Sequence, residues 1–151
     1  MTKTHMEDIA EFHRKFGLGY EGKPRALPKD LSDFRIGFKE EELREYRDAT
    51  KVASLELSLD NPDPGIITTC LEDQLDGLVD LVYVILGTAY LHGYELRWQE
   101  AWDRVHRANM SKIRATNASQ SARGSIHDVV KPQGWTKPRH NDLVEDHIHA
   151  G

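Results

Sequence analysis

Apolar positions recur along this chain at three-, four- and seven-residue steps, without the strict alternation of a half-buried strand. Met6, Ile9, Phe12 and Phe16 step at helical intervals behind Thr4 and Glu7, whose spacing is that of a capping box, and stop at Gly17. They predict a first helix over about 5–16. Segment 17–31, with three glycines and two prolines, shows neither period and reads as a long connection, of the kind that often carries function. Ser32 or Asp33 can cap a second helix running to about Leu57, apolar along Phe34, Phe38, Tyr46, Ala49 and Ala53 and charged opposite. After the breaker DNPDPG at 60–65 a third helix runs to a stop at Gly93, and Gly77 or Gly87 inside it marks a kink or a close helix contact. A fourth helix, over about 95–116, sets Trp98, Ala101, Trp102, Val105 and Ile113 on one face, which assigns Trp98 and Trp102 to the core. Beyond Thr116 the chain turns small, polar and proline-containing, an extended tail ordered where Trp135 docks. The fold class is therefore all-α, a four- to five-helix bundle core over 1–118 followed by a tail, 119–151, docking on the same or a neighbouring subunit.

Charge and composition narrow the partners. A chain of 151 residues suits one domain, and a net charge of −5 gives no global positive field for a polynucleotide. A small anionic substrate stays compatible, because a divalent cation inverts the electrostatics of an acidic site. Cys70, the single cysteine, can make no intrachain disulfide or zinc cluster, which fits a reducing cytosol. The polar stretch from Met1 to Asp8 lacks the apolar core of a signal peptide. Leu78 to Leu91, the most apolar run, is shorter than the ~20 residues of a membrane span and carries Asp80, so it reads as a buried helix with no membrane role.

The sharpest chemistry lies in acids on successive helices. Glu42 and Glu45 are three apart on one face, Glu41 is one turn before Glu45, and Asp73, Asp76 and Asp80 form a second stripe. Asp80 sits among Val79, Leu81 and Val82, where an ionised carboxylate is costly unless it is paired or binds metal. Helices packed antiparallel would face these stripes together, and oxygen donors without Cys or His select Mg²⁺ or Mn²⁺ over zinc. Two blander accounts stay open: a solvated charged face with Lys39, Arg44 and Arg47, and a buried salt bridge from Asp80 to Arg35 or Lys112.

FRIGFKEEELREY at 34–46, LDGLVDLVYVILGTAYLHGY at 75–94 and WDRVHRANMSK at 102–112 together resemble the MazG-like branch of the all-α NTP pyrophosphatase superfamily, with EFHRKFGL and KPQGW extending the likeness over most of the chain. The resemblance implies a bundle completed by oligomerisation, a homodimer or homotetramer, in the cytoplasm of a bacterium or a phage-infected host. It implies Mg²⁺-dependent cleavage of ribo- or deoxyribonucleoside triphosphates to monophosphate and pyrophosphate, adjusting or cleaning the nucleotide pool, with Mn²⁺ as a substitute. The family pattern of E-E-x-x-E on one helix and E-x-x-D on the next gives Glu42, Glu45 and Asp80 as metal ligands. Gly77 stands where the family has its second-helix Glu, so Asp76, four before Asp80, takes that role. Glu41 would orient or deprotonate the attacking water. Asn109 and Lys112, three apart on the fourth helix, would reach sugar or phosphates; Arg35 and Lys39 rank below Lys112. Lys131 would approach the phosphates and Trp135 close over the base, or anchor a subunit boundary.

Rival classes leave weaker traces. A ferritin-like di-metal bundle needs two Glu-x-x-His units, and only Asp103-x-x-His106 approaches one. His140, His147 and His149 raise a compositional suspicion of metal binding. A helix-turn-helix DNA binder lacks its basic recognition face. A non-catalytic helical nucleotide-, metal- or protein-binding module is the remaining alternative to an enzyme.

Overall fold

The computed structural model describes residues 3–147 and is mostly helical. It forms two compact units, which divide between Glu95 and Leu96.

In the first unit, α1 spans His5–Lys15, α2 Lys29–Leu57 and α3 Pro64–Leu91. The capping box at α1 is formed reciprocally: Glu7 N–H donates to Thr4 Oγ1 at 3.2 Å, and Thr4 N–H to Glu7 Oε2 at 2.6 Å. α2 begins three to four residues before the expected caps Ser32 and Asp33. Pro28 stands at its N-cap and its carbonyl accepts from Ser32 N–H at 2.8 Å, while Lys29 pairs with Asp33 one turn on. Proline fixes φ near a helix-compatible value and the helix starts directly after it, which a search for polar caps overlooks. α3 begins inside the breaker rather than after it: Asp63 Oδ1 accepts from Gly65 N–H at 2.7 Å and Pro64 occupies the first turn, where its missing N–H costs nothing. Gly93, at φ +83°, ends α3 in a Schellman turn, with Tyr94 N–H donating to Ala89 O at 3.0 Å.

α2 and α3 form a long antiparallel hairpin and α1 packs on α3. The core sits where α1 meets the second half of α3, with Ile9 and Tyr90 fully buried and Met6, Ala10, Val84, Leu86 and Ala89 around them. The connection before α2 is ordered against the end of α3. Tyr20 N–H donates to Tyr90 Oη at 3.1 Å, Arg25 Nε to Leu91 O at 3.0 Å, and Arg25 N–H to His92 O at 2.9 Å. By length and composition α3 alone among the described residues could cross a membrane; 39% of its most apolar window is buried inside the protein.

The second unit holds α4 (Trp98–Met110), a two-stranded antiparallel ladder of β1 (Ile113–Arg114) and β2 (Val129–Val130), a 3₁₀ turn at Ala118–Gln120, and α5 (Asn141–Val144). α4 ends earlier than its periodicity predicts and none of its residues is buried; Trp102 is 59% exposed. The assignment of Trp98 and Trp102 to a core is therefore not met. Their spacing produces an apolar face, but a face is buried only where another element covers it. The segment after Thr116 is folded: Asp128 accepts from Ser121 Oγ at 2.6 Å and Arg123 Nη1 at 2.8 Å, which holds its carboxyl below the usual range.

Candidate active site on the α2–α3 hairpin

Three contacts fix the register of the hairpin. Gln74 Nε2 donates to Thr50 Oγ1 at 3.1 Å, and Arg35 reaches Val84 O at 2.6 Å and Thr88 Oγ1 at 3.2 Å. Between them Gly77 lies against the backbone of α2, where an added Cβ would stand 3.3 Å from Tyr46 N. This glycine occupies the family's Glu position because the two helices nearly touch there. The register puts Glu42 and Glu45 across from Asp80 and Asp76.

Glu42 is the buried member of the set, 8% exposed. Burial is the main cause pushing its carboxyl above the usual range; the charges of Glu45, Asp80, Glu41 and Asp76 add to it, in that order. These five acids make no hydrogen bond or ion pair among the described residues. Neither basic partner considered for Asp80 pairs with it: Arg35 is committed to Val84 and Thr88, and Lys112 lies 5.4 Å over the Trp135 ring in the second unit. The solvated-face account fails for Glu42 and fits Glu41 and Glu45, which are exposed. Asp80 is also exposed, contrary to its apolar sequence neighbourhood, because Val79 (55%) and Val82 (48%) beside it face solvent in the single chain.

Among the described residues no three His, Cys, Asp or Glu side chains already converge as a metal set, and His149 lies outside those residues. The donors nevertheless suit a hard cation in kind and charge. From Glu45 and Asp76 a cleft of about 750 Å³ runs toward the hairpin end, walled by Asp48, Ala49, Val52, Thr69 and Cys70. Sequence reasoning missed this cleft, which exists only once the register is set.

The remaining candidates are spread differently. Arg35 is buried, with burial lowering its affinity for a proton, and its guanidinium fills the space left by Gly87. Asn109 is exposed near the end of α4. Lys112 lies past the helix in a turn, its N–H donating to Asn109 O at 3.1 Å, so the two do not share a helical face as their spacing predicts. Trp135 is anchored within its unit, its indole N–H donating to Ala108 O at 2.8 Å, with Lys131 Nζ 4.7 Å from the ring centroid.

A helical hairpin with acids facing across its seam is the fold of the all-α NTP pyrophosphatases. The chain belongs to the phosphoribosyl-ATP pyrophosphohydrolase family, whose sequence model matches residues 9–109, within the MazG-like superfamily. It is thereby a pyrophosphohydrolase, a hydrolase of phosphoanhydride bonds acting on a nucleotide. No curated protein shows significant similarity to it.

Proposed function

We propose that the chain cleaves ribo- or deoxyribonucleoside triphosphates to the monophosphate and pyrophosphate with Mg²⁺, adjusting or cleaning the nucleotide pool in the cytoplasm of a bacterium or phage-infected cell. The carrying observation is buried Glu42 amid four further acids with no basic counter-charge, beside a cleft of about 750 Å³, a size that suits a nucleotide. Packing of α3 along α2 supports a core helix over a membrane span.

Glu42, Glu45, Asp80 and Asp76 would hold the cation, Mn²⁺ being an acceptable substitute. A bound cation supplies Lewis-acid charge neutralisation and makes water more acidic. Glu41, exposed and unpaired, orients a water and takes its proton. The water oxygen bonds to phosphorus, the bridging phosphoanhydride bond breaks, and pyrophosphate leaves with the electron pair of that bond. The cleft beyond Glu45 and Asp76 receives the nucleoside, with Arg35 supporting the seam, and the family resemblance makes Asn109, Lys112, Lys131 and Trp135 candidates for contacts to phosphate, sugar or base.

The test is incubation with each triphosphate, and with phosphoribosyl-ATP because the matched family carries that name, in Mg²⁺ or EDTA, with products separated by anion exchange. Monophosphate and pyrophosphate are expected with Mg²⁺, with at least about a 100-fold loss in Glu42→Gln and Glu45→Gln that retain their helical circular dichroism. Cleavage of phosphoribosyl-ATP alone, or release of orthophosphate, would overturn the triphosphate reading.

A further inference from the structure

The two units differ in charge: residues 1–95 hold eleven Lys and Arg against nineteen Asp and Glu, and residues 96–151 nine against six. The small positive excess of the second unit is concentrated. A cleft of about 500 Å³ opens between α4 and the 132–139 segment, lined by Arg104, Arg107, Trp135, Lys137 and Arg139 among others and by no carboxylate. Arg104 is neutralised there, donating to Glu100 at 2.8 Å and to both oxygens of Asp142 at 2.7 and 2.8 Å. Its guanidinium therefore frames the cleft without adding free charge. Among the described residues Arg107 has only Glu100, at 4.0 Å and already committed to Arg104. Lys137 and Arg139 make no side-chain ion pair or hydrogen bond among the described residues, and neither do Lys131 and Lys112. Both of those ammoniums lie over the Trp135 ring, at 4.7 and 5.4 Å. A ring quadrupole offsets part of the repulsion between two such charges but provides no counter-charge.

We propose that this cleft is a metal-independent site for a chain of two or three phosphoryl groups. Cations enter it from two separate segments, so a linked phosphate chain, whose oxygens are spread over two or three phosphorus atoms, can meet both at once. Arg107 and Arg139 supply planar forks for paired oxygens and Lys137 supplies a point charge. The volume lies within the small-molecule range, which favours a compact anion over a polynucleotide. The ligand's source, substrate triphosphate or released pyrophosphate, rests on the proposed reaction; the site itself does not.

The experiment is calorimetric titration of the full chain in EDTA with orthophosphate, pyrophosphate and a deoxynucleoside triphosphate. Pyrophosphate and the triphosphate should each saturate one site per chain and compete, with orthophosphate at least about tenfold weaker. Arg107→Ser with Lys137→Ser should weaken pyrophosphate by about tenfold or more. Lys137→Ser with Arg139→Ser, both on exposed irregular chain, carries the same expectation should the first pair disturb folding. The Glu42→Gln, Glu45→Gln variant should bind as the unaltered chain does. Non-saturating heat, orthophosphate binding as tightly as pyrophosphate, or unchanged affinity in a folded variant would overturn the site. A chain that binds pyrophosphate in EDTA yet cuts no triphosphate upholds the cleft and sinks the triphosphate reading. Cleavage without pyrophosphate binding in EDTA does the reverse.

Discussion

Two buried ionisable side chains of the first unit are held in opposite ways. Glu42 is buried among like charges with no counter-ion among the described residues, an arrangement that costs stability in the isolated chain and favours whatever cation relieves it. His13 is 3% exposed, its Nδ1 is 2.9 Å from Ile9 O, and its ring stacks at a tilt on Tyr90 at 4.7 Å. Burial, with help from the Arg35 charge and against the Ile9 hydrogen bond, lowers its pKa from the ordinary 6.5. The unfolded chain therefore takes up this proton first as pH falls. The neutral ring's contribution is full above about pH 6.5 and is lost between there and the depressed folded value. Thermal melts from pH 7.5 to 5 should show the advantage of the native chain over His13→Gln shrinking as pH falls. An advantage constant across that range would refute the assignment.

At the scale of elements, the α2–α3 seam sets the site. Gly77 permits the contact with Tyr46 that brings the acid stripes level, and the backbone of a long helix has little room to give. Gly77→Val should cost about 1–3 kcal/mol in denaturant unfolding, the usual penalty of overpacking, despite valine's better helix propensity. It should also reduce activity, because the widened seam separates Glu42 and Glu45 from Asp76 and Asp80. A stabilised, fully active variant would mean that the close approach does not hold the register. The connection over 17–31, of the kind that often carries function, is tied by its long-range hydrogen bonds to Tyr90, Leu91 and His92. Tyr90 lies ten residues, roughly 15 Å of helix, beyond Asp80, which makes the cleft at the hairpin end the better place for the base.

Over the whole molecule, the conspicuous feature is apolar surface left in water. Leu71, Leu75, Leu78 and Val82 form one stripe of α3, 58%, 65%, 46% and 48% exposed. Scattered exposed apolar residues are ordinary, but a continuous helical stripe calls for a partner. The homodimer or homotetramer implied by the family resemblance would cover it and would also desolvate the neighbourhood of Asp80. Sedimentation should give at least twice the 17.3 kDa of one chain, and Leu75→Lys with Val79→Lys should shift it toward the monomer with lower activity. A native chain sedimenting as a monomer at assay concentrations would count against the assembly.

The sequence determined what neighbouring residues decide among themselves. The capping box Thr4–Glu7, the stop at Gly93 and the acid pairs spaced along single helices were all legible, since capping and the 3.6-residue period act within a turn or two. It also carried the family, through motifs in order. Tertiary structure alone decided that Glu42 rather than Asp80 is buried, that Arg35 closes on Val84 and Thr88, that no residue of α4 is buried, and that Arg107, Lys137 and Arg139 share a cleft. Burial and charge compensation belong to pairs such as Arg35 and Thr88, 53 residues apart, and no local rule of spacing says which of a helix's faces another helix will cover.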